Sequence, residues 1–526
     1  MVHATSAGVR TDGRRWLALG AIVASGLVLG LDSTILVTAL PTLSIRLGAT
    51  TDQLQWISTA YLLGLSGLLI PAGVLGDRLG RRRTLLGALL TFGLSSAAAS
   101  QMTTAGGLIA MRALMGIGGA FIFPNSVAVL PTIFSETERP RAVAIGGAGM
   151  FLGLPLGPLV AGWLLTHYEW GSVFLINVPF VMLALVGVRL FFPESGDPDA
   201  PRLDLAGAAL AILGVTSLVY GVIEQPTSGW NDRTVLGSLV TGAVLLAGFT
   251  IRELRTRSPL VDLRLFSNPR FSWSILVSVL MSFALMGVLF VFAPFLQVVQ
   301  GNDAQATGLR LLPLIGGIVL GALASDRLVA RLGARATLAL GLLICGAGMA
   351  LMSLVGAYGG YGLLLLALPI IGVGDAFAIF TALNVILDAL PETQTGAGTA
   401  LARTIQQIGS SFGVAIMGSL LNSAYRNELA GRMAELPHNL QDVAEGSVVG
   451  ATVVAYHLPA PLGPSLLFAA RDAYTIGMSD VLRVSAGVMV VAALLVGVFM
   501  SERVQAAATA PASVGGEPSV PTRIRR

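Results

Sequence analysis

The chain has 526 residues, 54% hydrophobic and only 11% charged, with a mean hydropathy of +0.79, which places it among polytopic membrane proteins and leaves no room for a large soluble domain. All 32 basic residues behind the net charge of +4 are arginines, and the absence of lysine excludes a P-loop ATPase site and Schiff-base chemistry. The arginines are spread over many short loops, which argues against a nucleic-acid partner, while the lone Cys345 and four scattered histidines support neither a disulfide nor a metal site.

A hydrocarbon core of about 30 Å takes about 20 apolar residues per crossing. Residues 1–15 read as a cytoplasmic N-terminal tail. The first apolar run, 16–40, is too long for a signal peptide and contains Asp32. Spans follow at 54–75, 84–102, 106–131, 141–165 and 172–192, which completes a six-helix bundle over 16–192. Residues 193–270 hold two inserted spans, 204–223 and 234–251, and a cytoplasmic linker. Residues 271–500 form a second six-helix bundle, with spans at 271–299, 307–325, 336–356, 361–387, 395–421 and 478–500 and an external loop at 422–477. The tail 501–526, rich in Ala, Pro, Thr and Ser, reads as disordered and cytoplasmic. The expected fold is therefore all-α with fourteen spans. Both termini then share one side, and the arginines gather on that side, which the positive-inside rule makes cytoplasmic.

The hydrophilic run from Gly73 to Arg83, between spans 2 and 3, contains Asp77, Arg78, Gly80 and Arg81 and must form a tight surface loop. Asp77 and Arg81 are four residues apart, close enough to clasp across a helical turn, while Arg82 and Arg83 suit topology and lipid contact. A degraded copy follows span 10, from Gly321 through Asp326, Arg327, Arg331 and Gly333 to Arg335, which suggests two equivalent bundles.

Span 5 places Gly149, Gly153, Gly157 and Ala161 on one stripe, so another helix can approach closely, and Pro158 favours a kink there. The stripe suits either a sealed, bendable interface or plain packing. Four ionisable side chains lie inside spans: Asp32, Arg112, Asp375 and Arg403. With a rise of 1.5 Å per residue, Asp32 and Arg112 fall at similar depths and can meet. A carboxyl that alternates between dry and wet surroundings can load and release a proton. Asp32 is therefore the expected proton-binding group and Arg112 its modulator, the alternative being a permanent structural ion pair. Asp375 suits a cationic-substrate site, a second proton site, or a partner for Arg403. Met281, Phe283, Met286, Phe290 and Phe292 of span 9 suit either a permissive apolar pocket or core packing. No catalytic constellation is present, so no enzyme is expected.

These motifs resemble the major facilitator superfamily, and within it the fourteen-span drug:proton antiporters of bacteria. The resemblance rests on Gly73, Asp77, Arg78, Gly80 and Arg81; on Leu31-Asp32 with Thr34; on Gln55-Trp56 with Tyr61; and on Arg112 with Gly116, Gly118 and Gly119. It also rests on Gly149, Gly153, Gly157, Pro158 and Gly162, on Trp170 with Asn177 and Pro179, and on Pro259 to Phe266. Val37, Met115, Ala144 and Ala161 depart from the family pattern. The resemblance implies a conformational gate in the first loop, an antiporter motif in span 5, and alternating-access exchange of a small amphipathic organic substrate for protons. It implies no cofactor, a proton gradient as energy source, lipid as surroundings, a monomer, and a multi-pass place in the bacterial inner membrane. Export of an endogenous metabolite, lipid or siderophore is the alternative, and a non-transporting sensor or scaffold a remoter one.

Overall fold

The computed structural model describes residues 13–135, 138–196, 204–256, 260, 263–388, 395–433 and 437–500. The expectations for residues 1–12, Pro259, Asp262, positions 434–436 of the expected external loop and the tail 501–526 lie outside these residues. Among the described residues the structure is helical and has no strand. The first part contains α1 (Arg14–Leu47), α2 (Thr51–Leu79), α3 (Arg81–Ala99), α4 (Ala105–Ala128), the turn α5 (Leu130–Ile133), α6 (Arg139–His167), the turn α7 (Ser172–Leu175) and α8 (Asn177–Phe191). Next come α9 (Leu205–Ser228) and α10 (Arg233–Arg255). The last part contains α11 (Pro269–Pro294), α12 (Ala304–Arg310), α13 (Leu312–Met352), α14 (Gly362–Asp388), α15 (Thr395–Ala430), α16 (His438–Gly446), α17 (Val448–His457) and α18 (Leu462–Phe499). Ten stretches of described helix are long and apolar enough to cross a membrane.

Local chemistry sets several helix starts. Thr50 and Gln53 form a reciprocal capping box at α2. Asp204 caps α9 through the Gly207 amide at 2.9 Å and also takes two hydrogen bonds from Arg252 Nε of α10, at 2.8 and 3.0 Å. The Arg252 guanidinium holds the Asp204 carboxyl below the usual carboxylate range, against the opposing effect of burial.

The two halves repeat each other. In the first, α1 packs on α6, α2 and α3 on α4, and α3 on α8; in the second, α11 packs on α15, and α13 on α14 and α18. A continuous α13 of 41 residues would be about 60 Å long, twice the hydrocarbon thickness. Gly333, with φ of 81°, divides it, and the two parts run in opposite directions along α14.

Close glycine contacts fix the register of the repeat residue by residue. Gly64 of α2 abuts α4 at Ala113 and Ile117, as Gly317 of α13 abuts α14 at Pro369. Gly116 and Gly118 of α4 press on Tyr61 and Phe92; Gly372 and Gly374 of α14 press on Leu314 and Cys345. Gly80, with φ of 99°, then falls on Gly333, the only residue type that takes this turn without strain. This sets the residue-by-residue alignment of the loop copy. Ala330 and Ala334 stand opposite Asp77 and Arg81, while Asp326 and Arg327 fall one turn earlier, so the second half has no clasp. Hydrophilic composition located the loop, but the positive-φ glycine sets its register.

The same register aligns Gly149 and Gly153, seated on Val23 and Leu27 of α1, with Gly409 and Gly413, seated on Val279 and Phe283 of α11. Both bundles thus use one small-residue stripe to bring two backbones together. Helix α6 continues through Pro158 to His167.

The expected loop 422–477 is largely helical. Helix α15 continues to Ala430, α16 and α17 fold back, and α18 starts at Leu462 rather than near residue 478. Prolines and charges interrupt this stretch, yet Val448, Val449, Ala451 and Val454 are buried, and α17 packs on α18.

Candidate functional site

Asp32 of α1 and Arg112 of α4 meet: Arg112 Nη1 donates to Asp32 Oδ2 at 2.7 Å, with the two side chains 2% and 0% exposed for Arg112 and Asp32 respectively. Arg112 Nε donates to the Ile57 carbonyl at 3.2 Å, and its guanidinium lies over the Tyr61 ring, 4.3 Å from the centroid. The other carboxylate oxygen, Oδ1, accepts from Asn177 Nδ2 at 3.2 Å. Asn177 also donates to Ser96 Oγ, which in turn donates to the Phe174 carbonyl. Two helices, α4 and α8, thus bond the Asp32 side chain directly, while α2 and α3 hold Arg112 and Asn177 in place.

Ionisability within an apolar run points to Asp32 and Arg112 but not to Asn177, Tyr61 or Ser96; Tyr61 and Asn177 enter the sequence reading only as motif residues without a role. Asn177 carried a usable signal, as a lone amide at the start of an apolar run.

Beside Arg112 lies a cavity of about 30 Å³, room for about one water molecule, bounded by Ser33, Ser58 and Tyr61 of the first bundle and by Met286, Phe290 and Val414 of the second. The ion pair therefore borders the interface between bundles. Met286 and Phe290 line this space, whereas Met281 and Phe292 are fully buried in the core.

The bundles meet along two seams, α2 against α15 and α6 against α12. At the end opposite the Gly73–Arg83 loop, the α2–α15 seam is polar. Gln55 Nε2 donates to the Val414 and Ala415 carbonyls at 3.1 and 2.8 Å. Asp52 accepts from Thr227 at 2.6 Å and from Asn422 at 2.9 Å, which ties α2, α9 and α15 together. Gln297 donates to the Thr38 carbonyl at 2.8 Å. Toward the loop end the seam is apolar and holds a cavity of about 200 Å³, lined by Leu63, Ile70, Ile212, Phe249, Leu401 and Ile405 among others. The inserted pair α9–α10 walls this cavity.

At the loop end, Arg81 bonds Asp77 Oδ1 at 2.7 Å across the break at Gly80, and its Nη1 donates to the Ala128 carbonyl at the end of α4, at 2.9 Å. The Arg81 amide donates to the Ser195 carbonyl at 2.8 Å, and Arg83 lies 3.5 Å from Glu194. Gly80 itself sits against the Glu194 carboxylate. Arg78 is exposed, and Gly73 has open space beside it.

Of the span 5 residues, Gly157 sits against Thr34 and Ile35, Pro158 against Gly308, and Gly162 against Ala304. Gly157 and Pro158 have no counterpart in the second half, where Met417 and Gly418 follow the stripe.

Asp375 and Arg403 do not pair. Arg403 donates to Gln406 Oε1 at 3.4 Å, on its own helix, and Asp375 is buried on α14. Of the three readings of Asp375, pairing with Arg403 is therefore not made, because the helix faces do not bring the two groups together.

Comparison with known proteins agrees with this architecture. Residues 22–414 match the family model described as Major Facilitator Superfamily. The chain is 32% identical over 500 residues to the tetracenomycin C resistance and export protein of Streptomyces glaucescens, covering 94% of this chain and 93% of that one. It is 31% identical to the multidrug efflux pump LfrA of Mycolicibacterium smegmatis, covering 94% and 98%, and 33% identical to the methyl viologen resistance protein SmvA of Salmonella typhimurium, covering 93% and 98%. The crystal structure of a bacterial homologue of the human lysosomal transporter Spinster, inward-facing and unoccupied, shares the fold with a TM-score of 0.67 at 16% identity, over 93% of this chain and 98% of that one.

Proposed function

The chain belongs to the major facilitator superfamily, and on that premise we propose that it is a proton-coupled exporter of amphipathic drugs or antibiotics, working by alternating-access antiport. It is a transporter and not an enzyme. The reading as a drug exporter is supported by relatives named for tetracenomycin, methyl viologen and puromycin resistance.

In this reading the chain crosses the membrane fourteen times. Helices α3, α6 and α15 join the ten apolar stretches, and the turn at Gly333 divides one stretch into two crossings. The arginine-rich loop end is cytoplasmic, in a bacterial inner membrane, and both termini lie on that side.

The observation that carries the proposal is the sealed Asp32–Arg112 pair beside the inter-bundle cavity. A buried carboxylate held by a guanidinium and an amide is stable only while those donors stay in place. Rocking of the bundles that admits water at the Arg112 cavity exposes Asp32 to protonation from outside. The neutral acid then releases Arg112, which alters the Tyr61 face presented to substrate. In the present conformation the polar contacts at Gln55 and Asp52 close the external end. The apolar cavity on the cytoplasmic half of the α2–α15 seam suits the hydrophobic body of an amphipathic substrate.

The test uses inverted membrane vesicles with an imposed pH gradient and a panel of cationic and neutral amphiphiles. Substrate-dependent proton release that disappears in Asp32→Asn is the expected result. Substrate-dependent proton release at the wild-type level in Asp32→Asn would overturn the assignment of Asp32, and no compound-dependent proton movement at all would overturn antiport.

A further inference from the structure

The second bundle contains a carboxyl that the site above does not use. Asp375 is 6% exposed, its Oδ1 lacks a hydrogen-bond partner, and no described basic side chain bonds to it. Helix α14 packs on α13, α11 and α15. From α13, Cys345 lies beside Asp375, its backbone against Gly374, while Asp326, Arg327, Arg331 and Arg335 belong to the stretch around the turn at Gly333. From α11 the sole charged residue is Arg270, in its first turn, and from α15 Arg403 is turned to Gln406.

The internal repeat makes this isolation a property of the fold. Gly116-Ile-Gly118-Gly119-Ala-Phe121 in α4 corresponds to Gly372-Val-Gly374-Asp375-Ala-Phe377 in α14, with the flanking glycines making the same contacts. Asp375 therefore takes the place of Gly119, which in the first bundle lies beside Leu29, Leu65 and the hydroxyl of Tyr61, the ring that covers Arg112. Arg112 corresponds to Leu368 and Asp32 to Val288, both fully buried. The first bundle has a carboxylate with its guanidinium, whereas the second has a carboxyl alone.

An ionised carboxylate in hydrocarbon without a counter-charge costs several kcal/mol, and no described donor or cation offsets that here. Asp375 lines neither the seam cavity nor the cavity at Arg112, and beside it Gly374 brings the backbones of α14 and α13 into contact at Gly341 and Cys345, which favours a proton over an organic cation as its ligand. We infer that Asp375 is a second proton-carrying site, loaded as the neutral acid in this closed conformation and discharged when rocking of the bundle brings water to the α13–α14 interface. The step breaks one carboxyl O–H bond and passes the proton to water; no other group is oxidised, reduced or transferred. The inference rests on proton-coupled transport, to which it adds one proton per cycle.

Infrared pH-difference spectroscopy of the purified protein in lipid reads the carboxyl without any substrate. Between neutral and strongly alkaline pH, a carboxylic-acid C=O band is expected to disappear in wild type and in Asp32→Asn. That band is expected to be absent in Asp375→Asn and present but shifted in Asp375→Glu. If Asp375→Asn has the same difference spectrum as wild type, the inference is overturned. In proteoliposomes, with a compound taken from the vesicle panel, Asp375→Asn is expected to lower the proton-to-substrate ratio by one, read from the reversal potential. An unchanged ratio would also overturn the inference. Should wild type show the band but no proton-driven transport, the coupled role of Asp375 falls with the antiport reading, whereas loss of the inference alone leaves Asp32-dependent antiport intact.

Discussion

Arg112 sets its Nη1 2.7 Å from Oδ2 of Asp32, and this ion pair joins α1 to α4 beside the cavity between the bundles. Neither group tolerates losing the other, because a lone buried charge costs more than the pair contributes.

Arg112→Met should therefore destabilise the protein by about 3–5 kcal/mol, leaving Asp32 uncompensated. Asp32→Asn combined with Arg112→Met should regain most of that stability but not transport. Thermal unfolding in detergent beside efflux from vesicles separates the two effects. If the double variant unfolds as easily as Arg112→Met, the stability argument fails.

Asn177→Ala removes the donor shared by Asp32 Oδ1 and Ser96 Oγ. An expected cost of about 1–3 kcal/mol follows from leaving these buried acceptors unpaired. Transport should fall by roughly tenfold, since about 1.4 kcal/mol of lost positioning corresponds to that factor. Wild-type transport in this variant would reduce Asn177 to a packing residue.

The glycine stripe makes a prediction that compares the halves. Gly153→Val and Gly413→Val each place a side chain against helix backbone, on α1 and α11 respectively. Both should lower the melting temperature, by an overpacking cost of about 1–3 kcal/mol. Comparable losses support a shared packing role. If only Gly153→Val makes vesicles leak protons, the first-half stripe has an additional sealing role.

At the loop end, Arg81→Ala breaks a half-exposed ion pair of the kind worth about 0–1 kcal/mol. Stability should barely change while transport falls several-fold, because the bond to the Ala128 carbonyl ties the loop to α4. Gly80→Ala should be worse for folding, with about 1–3 kcal/mol of strain at φ of 99° and a clash with Glu194. Melting temperatures and efflux measured side by side would expose the reverse ranking.

Asp204 gives the docking of α9–α10 a defined pH dependence. Its carboxyl is held below the usual range by Arg252, so its contribution is complete above the ordinary carboxylate value and is lost as pH falls below ~4 toward the depressed folded value. The protection factors of the α9 amides, corrected for the intrinsic pH dependence of exchange, should fall in that window in wild type. In Asp204→Asn they should be lower already at neutral pH and should not change across the window; equal protection in both proteins would remove the anchor.

The sequence by itself determined that the chain is all-helical and crosses a membrane many times, and which connection is the tight arginine-rich one, because apolar run length and charge carry both. It also paired Asp32 with Arg112, since hydropathy and the fixed rise per residue give the depth of each group. Depth does not give azimuth. Each residue turns the helix by about 100°, so a side chain at the right level can face a different neighbour altogether. Asp375 and Arg403 could have met by depth, but Arg403 turns to Gln406. Asn177 reads in sequence as one polar residue in an apolar run, and only the packing of α8 against α1 and α3 puts its amide on Asp32 and Ser96. The repeat was visible as a hydrophilic echo, but its register needed the backbone contacts of Gly64, Gly80, Gly116 and their counterparts. Only the tertiary structure decided which buried charges are shared and which stands alone, because that depends on how each helix is rotated against its neighbours.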